Sequence, residues 1–316
     1  MISKDKIRSL QDANYRCIKE VQFYQKSDAE VQDLHDEYNK IKLQNEPILK
    51  SKLDELAENI YVDVKQRIDN WAENKQVKVK QLFNQDNDFD TTDLILLIGL
   101  LAIIDEQTKD YTTTKYLKDV TGAYDSSAKY YTDHELSKIS KATGKKVRSV
   151  EPPKINFSNP TIQNYYQNYA LKAFNGISGK YRDIIEKIIR EGYAKKLSID
   201  EIASQIKNAI DPLSKTYKAD YIWDRIARTE IAFYTETAKL DSGLNLGISY
   251  FQFTTSMDSR VCTICRAYHG RVFNSYEVGS VIIIPVHPLC RCCWIPVWDK
   301  DDLNALLFIP FILDDN

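Results

Sequence analysis

The most informative part of the chain consists of two short segments, VCTIC at residues 261–265 and HPLCRCC at residues 287–293. Five of the six cysteines and two of the four histidines lie in these segments or between them. Packing alone does not explain paired cysteines at this density, and disulfide bonds are rare in a protein made in a reducing cytosol. The clustering therefore favours a metal site over disulfides or buried free thiols.

The spacing within the two segments predicts which side chains bind the metal. Cys262 and Cys265 are separated by two residues, as are His287 and Cys290. This gap lets both donors of a tight turn face one ion. We therefore expect a tetrahedral zinc site formed by Cys262, Cys265 and Cys290, with either His287 or Cys292 as the fourth ligand. Such a shell is closed, so the ion is expected to be structural rather than catalytic.

Composition indicates a mainly α-helical chain. The 316 residues include 43 basic and 45 acidic side chains, 43% hydrophobic residues, and only 10 glycines and 9 prolines. The charge is uneven, because residues 141–230 carry 17 basic against 10 acidic side chains. A basic stretch of this kind can contact the phosphates of DNA without reading its sequence.

The N-terminal part of the chain reads as long amphipathic helices packed in a bundle. Apolar residues recur at three- or four-residue steps up to about residue 80, with Pro47 as the expected break between two helices. Residues 94–104 form the longest apolar run, which is too short to span a bilayer and is expected to be a buried helix capped by Thr92 or Asp93. The N-terminus shows no secretory signal, so synthesis in the cytosol is expected.

A cluster of turn residues and prolines at 141–160 predicts a domain boundary. Ser198 and Glu201 form a predicted capping box at the start of a helix, and a further helix is expected over residues 221–246. Short strands are predicted at residues 250–254, 271–273 and 281–284. The predicted regions are an N-terminal helical region at 1–150, a central helical domain at 151–248, a Cys/His-rich β-containing unit at 249–298, and an apolar and acidic tail at 299–316.

The order of features in the C-terminal half is distinctive. It comprises ARTE at 227–230, an aromatic strand, DSRVCTIC at 258–265, GRVF at 270–273 and PVHPLCRC at 285–292. This order resembles the Mu F-like minor head proteins of tailed bacteriophages, also called the phage head morphogenesis family. The resemblance covers roughly residues 160–298 and includes both cysteine motifs.

The resemblance implies a structural protein of the virion. It implies a location inside the capsid near the portal, a role in head morphogenesis and in DNA packaging or ejection, and assembly in the cytoplasm of the bacterial host. The implied partners are the portal protein, the major capsid protein and packaged double-stranded DNA bound without sequence preference, with no membrane involved at assembly.

Two other classes of function are weighed against this interpretation. A zinc-ribbon DNA-binding protein should be basic around its metal, yet residues 251–316 carry 5 basic and 7 acidic side chains. A zinc-dependent hydrolase needs an open coordination position and a general base, and Glu277 is the only glutamate after Glu236. We therefore expect no enzymatic activity and keep the zinc ribbon as the alternative.

Overall fold

The computed structural model describes residues 28–81, 91–212, 219–275, 277–279 and 281–297. Within these ranges the chain is mainly α-helical with one small antiparallel sheet, which confirms the predicted fold class. The helices are α1 (Asp28–Gln81), α2 (Thr91–Thr114), α3 (Tyr116–Thr143), α4 (Pro160–Tyr165), α5 (Leu171–Ala194), α6 (Ile199–Ile210), α7 (Ala219–Asn245) and α8 (Thr263–Tyr268), with a π-helical turn at Tyr166–Ala170. Among the described residues, no helix combines the length and apolar character needed to cross a membrane.

The chain forms two compact units, each assembled from segments that are distant in sequence. The first unit comprises the described residues within 1–45, 121–155 and 231–316, and the second comprises those within 46–120 and 156–230. The four regions expected from the sequence stay a prediction, and the tail at 299–316 lies outside the described residues.

The predicted helix break at Pro47 is wrong, because Pro47 lies inside α1. A proline removes one backbone donor and leaves the carbonyl four residues earlier without its helical partner. Here Leu43 and Pro47 are both exposed, so that carbonyl is on the side of the helix that water reaches. The buried side chains of Leu49 and Leu53 hold the opposite side of the helix.

Helix α2 contains the apolar run at residues 94–104 and packs one of its faces in the second unit. Leu96, Leu97, Leu100 and Ile104 are buried, whereas Leu94, Ile95 and Ile98 are exposed. Asp93 is fully buried and accepts hydrogen bonds from Trp71 Nε1 and the Tyr193 hydroxyl, and its carboxylate lies 3.0 Å from Lys75 Nζ. The prediction of a buried helix therefore holds for one face of α2.

Local signals predict the break before α4, the start of α6 and the position of α7. The segment between α3 and α4 is not helical, and the Asn159 side chain caps α4 with Pro160 in its first turn. The capping box is confirmed, since the Ser198 hydroxyl accepts the Glu201 amide and the Glu201 carboxylate accepts the Ser198 amide. The predicted helix at 221–246 corresponds to α7.

The sheet lies in the first unit and has the order β2-β1-β3, with both pairs antiparallel. Its strands are β1 (Tyr250–Thr254), β2 (Val272–Asn274) and β3 (Cys293–Val297), and the first two agree with the predicted strands. In the register, Phe251 lies opposite Phe273 and Phe253 lies opposite Trp294. Gly243 of α7 allows close packing on this sheet, because a Cβ there would lie 2.7 Å from the Phe251 ring.

The strand predicted at residues 281–284 is wrong. Ile282 and Ile284 are buried while their neighbours are half-buried, so burial alternates as it does in a strand. The segment is nevertheless not hydrogen-bonded to a neighbouring strand of the sheet. The backbone makes local turn bonds there instead, such as Val281 N to Glu277 O. The third strand is β3, which escapes sequence-based prediction because it contains Cys293 and Pro296. A proline is tolerated there since β3 is at the edge of the sheet.

Candidate metal centre

The first ligand pair is positioned by the start of helix α8. Cys262 is the N-cap residue, and its Sγ accepts a hydrogen bond from the Cys265 amide at 3.3 Å. One helical turn then brings the Cys265 thiol to the same side as Cys262. Cys262 is half-buried and Cys265 is buried, so the pair faces inward at the edge of the small core.

The second pair is positioned by a tight turn in which the Cys290 amide donates to the His287 carbonyl at 3.1 Å. His287 Nδ1 lies 2.8 Å from the Pro288 carbonyl oxygen. Because a carbonyl only accepts hydrogen bonds, Nδ1 carries the proton and the lone pair of the neutral ring is on Nε2. That Nε2 atom lies 3.4 Å from Cys265 Sγ, so His287 presents its metal-binding nitrogen to the thiols.

The five predicted ligands form two overlapping groups, which together make the ligand cluster. The donor atoms of Cys262, Cys265 and His287 lie within 4.8 Å of one another, and so do those of Cys265, Cys290 and Cys292. Cys265 belongs to both groups. Five donors for four positions leave either His287 or Cys292 as the fourth ligand.

The spacing of the donors fits a tetrahedral ion with sulfur and nitrogen ligands. A metal–sulfur bond of about 2.3 Å places two sulfurs of a tetrahedral zinc shell about 3.8 Å apart. Sγ of Cys265 and Sγ of Cys290 are 3.9 Å apart. A hydrogen bond from the Cys265 thiol lowers the pKa of Cys290, and the same bond raises the pKa of Cys265. Cys290 thus favours the thiolate form, which is the form that binds metals.

An ion pair joins the two ligand-bearing loops. Arg291 lies between Cys290 and Cys292, and its guanidinium donates two hydrogen bonds of 2.6 Å to the Asp258 carboxylate. The hydrogen bonds from Arg291 hold the pKa of Asp258 well below its usual range. This pair was not predicted, although both residues lie inside the quoted motifs. Two parallel bonds fix the relative orientation of the loops.

Cys293 and His269 lie outside the ligand cluster. Successive strand residues point to opposite faces, so Cys293 faces away from Cys292, and its Sγ lies 3.1 Å from Thr254 Oγ1. Burial raises the pKa of the Cys293 thiol. His269 Nδ1 accepts the Thr255 amide at 3.1 Å.

A buried charge network, which sequence reasoning missed, lies directly behind the cluster. The Glu236 carboxylate contacts Lys42 Nζ and Lys239 Nζ at 3.0 Å and accepts the Trp294 amide at 2.8 Å. Lys42 Nζ also donates to the Cys292 carbonyl at 2.9 Å. Burial opposes ionisation of Glu236, but Lys239 and Lys42 lower its pKa. Lys239 is three residues from Glu236, but Lys42 and Trp294 are far from it in sequence, so no local pattern marks the whole network.

Helix α1 also contacts the segment that carries the second ligand pair. His35 Nε2 lies 3.0 Å from the Arg291 carbonyl oxygen, and the His35 carbonyl is near Cys293 Sγ, at 3.9 Å. With the bond from Lys42, α1 therefore contacts the backbone on both sides of Cys292.

Comparison with known proteins supports the resemblance inferred from the motifs. The family model described as phage Mu protein F like protein matches residues 183–295. No curated protein and no solved structure matches the chain. The matched segment contains both ligand pairs, Asp258, Arg291, strands β1 and β2, and the first three residues of β3. The segment of this chain that carries the candidate metal centre is therefore similar to phage Mu F-like proteins, which confirms the resemblance that its motifs indicated.

Proposed function

We propose that this chain is a structural minor head protein of a tailed bacteriophage, located in the capsid interior near the portal. The observation that carries the proposal is the phage Mu F-like match over residues 183–295. The match covers the ligand cluster and the elements that position it. The proposal goes further than the family description in two ways. It includes a contribution to DNA packaging or ejection, and it includes contacts with the portal and major capsid proteins.

In this proposal the metal ion is zinc and its role is structural. The supporting geometry is the separation of 3.9 Å between two thiol sulfurs and the single free nitrogen that His287 offers. Zinc bound there would hold α8, the turn at His287 and the start of β3 together. No catalytic step is proposed, since four sulfur and nitrogen ligands close the shell.

The zinc-ribbon alternative has weaker support. A ribbon that grips DNA near its metal needs cations that are free for phosphates. Arg291 beside the cluster is instead paired with Asp258, and Arg260 lies 3.4 Å from the same carboxylate. Non-specific contact through the basic stretch at residues 141–230 is the form of DNA binding that we propose.

The test is the composition of purified particles from cells that produce the phage encoding this chain. Quantitative mass spectrometry should find the chain at a few copies per particle, protected from protease until the capsid is opened. Its absence from DNA-filled heads, or cleavage in intact particles, would contradict the proposal. Zinc content is a separate measurement, so the structural ion and the virion location can fail independently.

A further inference from the structure

The second unit contains a cavity of about 270 Å³ between helices α5 and α7. Six residues line it, three from each helix: Lys180, Asp183, Ile184, Tyr221, Ile222 and Arg225. Ile222 is buried and forms part of the apolar floor, whereas the Tyr221 side chain is exposed. The cavity therefore combines an apolar base with charged walls.

Two cations, Lys180 and Arg225, line this cavity together with the single carboxylate of Asp183. Lys180 and Arg225 are both half-buried, and neither forms an ion pair with any residue in the described part of the chain. Burial and the nearby charge of Arg225 both lower the pKa of Lys180. Arg228, one turn further along α7, is instead paired with Glu46 and Asp224.

The charge of the lining is unbalanced. Two cations and the carboxylate of Asp183 leave one formal positive charge in the cavity. Two like charges that are held together and partly removed from water repel each other, and an anion between them relieves this repulsion.

We propose that this cavity binds a phosphate group between Lys180 and Arg225. A guanidinium donates parallel hydrogen bonds to phosphate oxygens, while an ammonium supplies a compact charge. A tetrahedral phosphate has enough oxygens to serve both cations at once, whereas a carboxylate is planar and has only two. The volume of about 270 Å³ holds one phosphate group with some of its water, and not an extended peptide.

The phosphate has two possible sources, inorganic phosphate and the backbone of a polynucleotide. The cavity lies in the basic stretch at residues 141–230, which is the region proposed to contact DNA. The site itself does not rest on the proposed head function, because two cations with one carboxylate leave a net positive charge that attracts phosphate in any setting.

The experiment titrates the full-length protein with inorganic phosphate by calorimetry at constant ionic strength, with sodium acetate in parallel. We expect saturable binding of phosphate and none of acetate. Lys180→Gln and Arg225→Gln should each weaken phosphate binding by about tenfold, the loss that accompanies one charge-assisted hydrogen bond. Lys187→Gln is the matched control, since Lys187 is exposed on the same helix and lies 3.7 Å from Glu191.

Equal phosphate affinity in all four proteins, no saturable phosphate binding, or equal binding of acetate would each overturn the proposal. Circular dichroism checks that the variants remain folded. Glutamine is polar, so it can replace a half-buried side chain of the cavity lining. A second titration with a 20-base-pair duplex identifies the source. A parallel loss of duplex affinity in the two cavity variants indicates the polynucleotide backbone, and an unchanged duplex affinity indicates free phosphate.

Discussion

Helix α7 carries two buried carboxylates whose surroundings differ in kind. Glu230 is 2% exposed and Glu236 is 1% exposed, and the two residues are six positions apart in sequence. Glu230 accepts hydrogen bonds from the hydroxyls of Tyr116 and Tyr165, and burial raises its pKa to about 7. Glu236 is also desolvated, yet Lys239 and Lys42 lower its pKa.

The difference shows that burial alone does not set the charge of an internal acid. The hydroxyls of Tyr116 and Tyr165 are neutral, and their hydrogen bonds offset only part of the effect of burial on the pKa of Glu230. Glu230 is therefore close to half-protonated near neutral pH. Two ammonium groups keep Glu236 ionised. Glu236 is therefore part of a structural ion network, whereas Glu230 makes the stability of the fold depend on pH.

The largest effect is expected when the candidate metal site, which lies next to the Glu236 network, is removed. The free energy of zinc binding at structural sites in small peptides is about 10–16 kcal/mol. Losing a ligand should therefore unfold the Cys/His-rich region of the first unit. For Cys265→Ser we expect loss of zinc and faster hydrogen exchange in residues 231–245, with little change in α6. Elemental analysis and hydrogen-exchange mass spectrometry measure the two effects.

The matched control for the metal test is Cys293→Ala, which removes a thiol that faces away from the ligands. It should retain about one equivalent of zinc. Full zinc occupancy in Cys265→Ser would contradict the four-ligand shell, and a uniform rise in exchange across α6 and α7 would contradict a local effect.

The next largest effect is expected from Glu236→Gln. This exchange keeps the shape of the side chain but leaves Lys42 and Lys239 buried without an anion, which typically costs about 3–5 kcal/mol in the free energy of unfolding. Urea denaturation at pH 7 measures the change. If Glu230→Gln, which removes the other carboxylate, destabilises the protein as much, the contrast between the two sites is wrong.

The pH dependence of stability tests Glu230 directly. Its folded pKa of about 7 lies above the ordinary value of 4.5, so between these values the folded state binds more protons than the unfolded state. Stability should therefore fall as pH rises from 4.5 to 7, by about 3 kcal/mol for this group alone. Glu230→Gln should remove that part of the slope.

Urea midpoints at pH 5 and pH 8 for the wild type and Glu230→Gln give this difference. Glu186→Gln is a suitable control, because Glu186 is partly exposed and pairs with Arg190 on the surface of α5. Identical slopes in wild type and Glu230→Gln would mean that Glu230 is ionised in both the folded and the unfolded states.

The smallest effect concerns the phenols around Glu230. Tyr165 donates a hydrogen bond of 3.0 Å to this carboxylate, and that bond lowers its pKa. Tyr165→Phe should therefore raise the pKa of Glu230 further and cost about 1 kcal/mol of stability at pH 8. Carbon-13 NMR of the Glu230 carboxyl resonance follows the titration, and an unchanged or lower pKa in Tyr165→Phe would contradict the assigned bond.

Features set by neighbouring residues could be predicted from the sequence. The capping box at Ser198, the strand β1 and the two ligand pairs all depend on residues a few positions apart. The convergence of the pairs on one point follows from the need of a single ion for four donors.

Features set by distant contacts could not be predicted. Lys42 meets Glu236 across 194 positions of sequence, and a lysine in an amphipathic helix usually faces water. Pro47 looks like a helix break because its effect depends on which face of α1 it occupies. Residues 281–284 look like a strand because alternate burial is shared by strands and by extended coil.

The crowding of the four clustered thiols also has a consequence for oxidation. Metal coordination occupies the sulfur lone pairs that would otherwise attack an oxidant or another sulfur. Without the proposed ion, the Sγ atoms of Cys265 and Cys290, which are 3.9 Å apart, need little movement to join as a disulfide when an oxidant such as molecular oxygen takes up the two electrons and two protons that the thiols release. In the virion that we propose for this chain, nothing outside the cell would reduce that bond, so a single loss of the ion would be permanent. The time for which the chain stays intact there would then be set by how slowly the proposed ion dissociates, rather than by how tightly it binds at equilibrium.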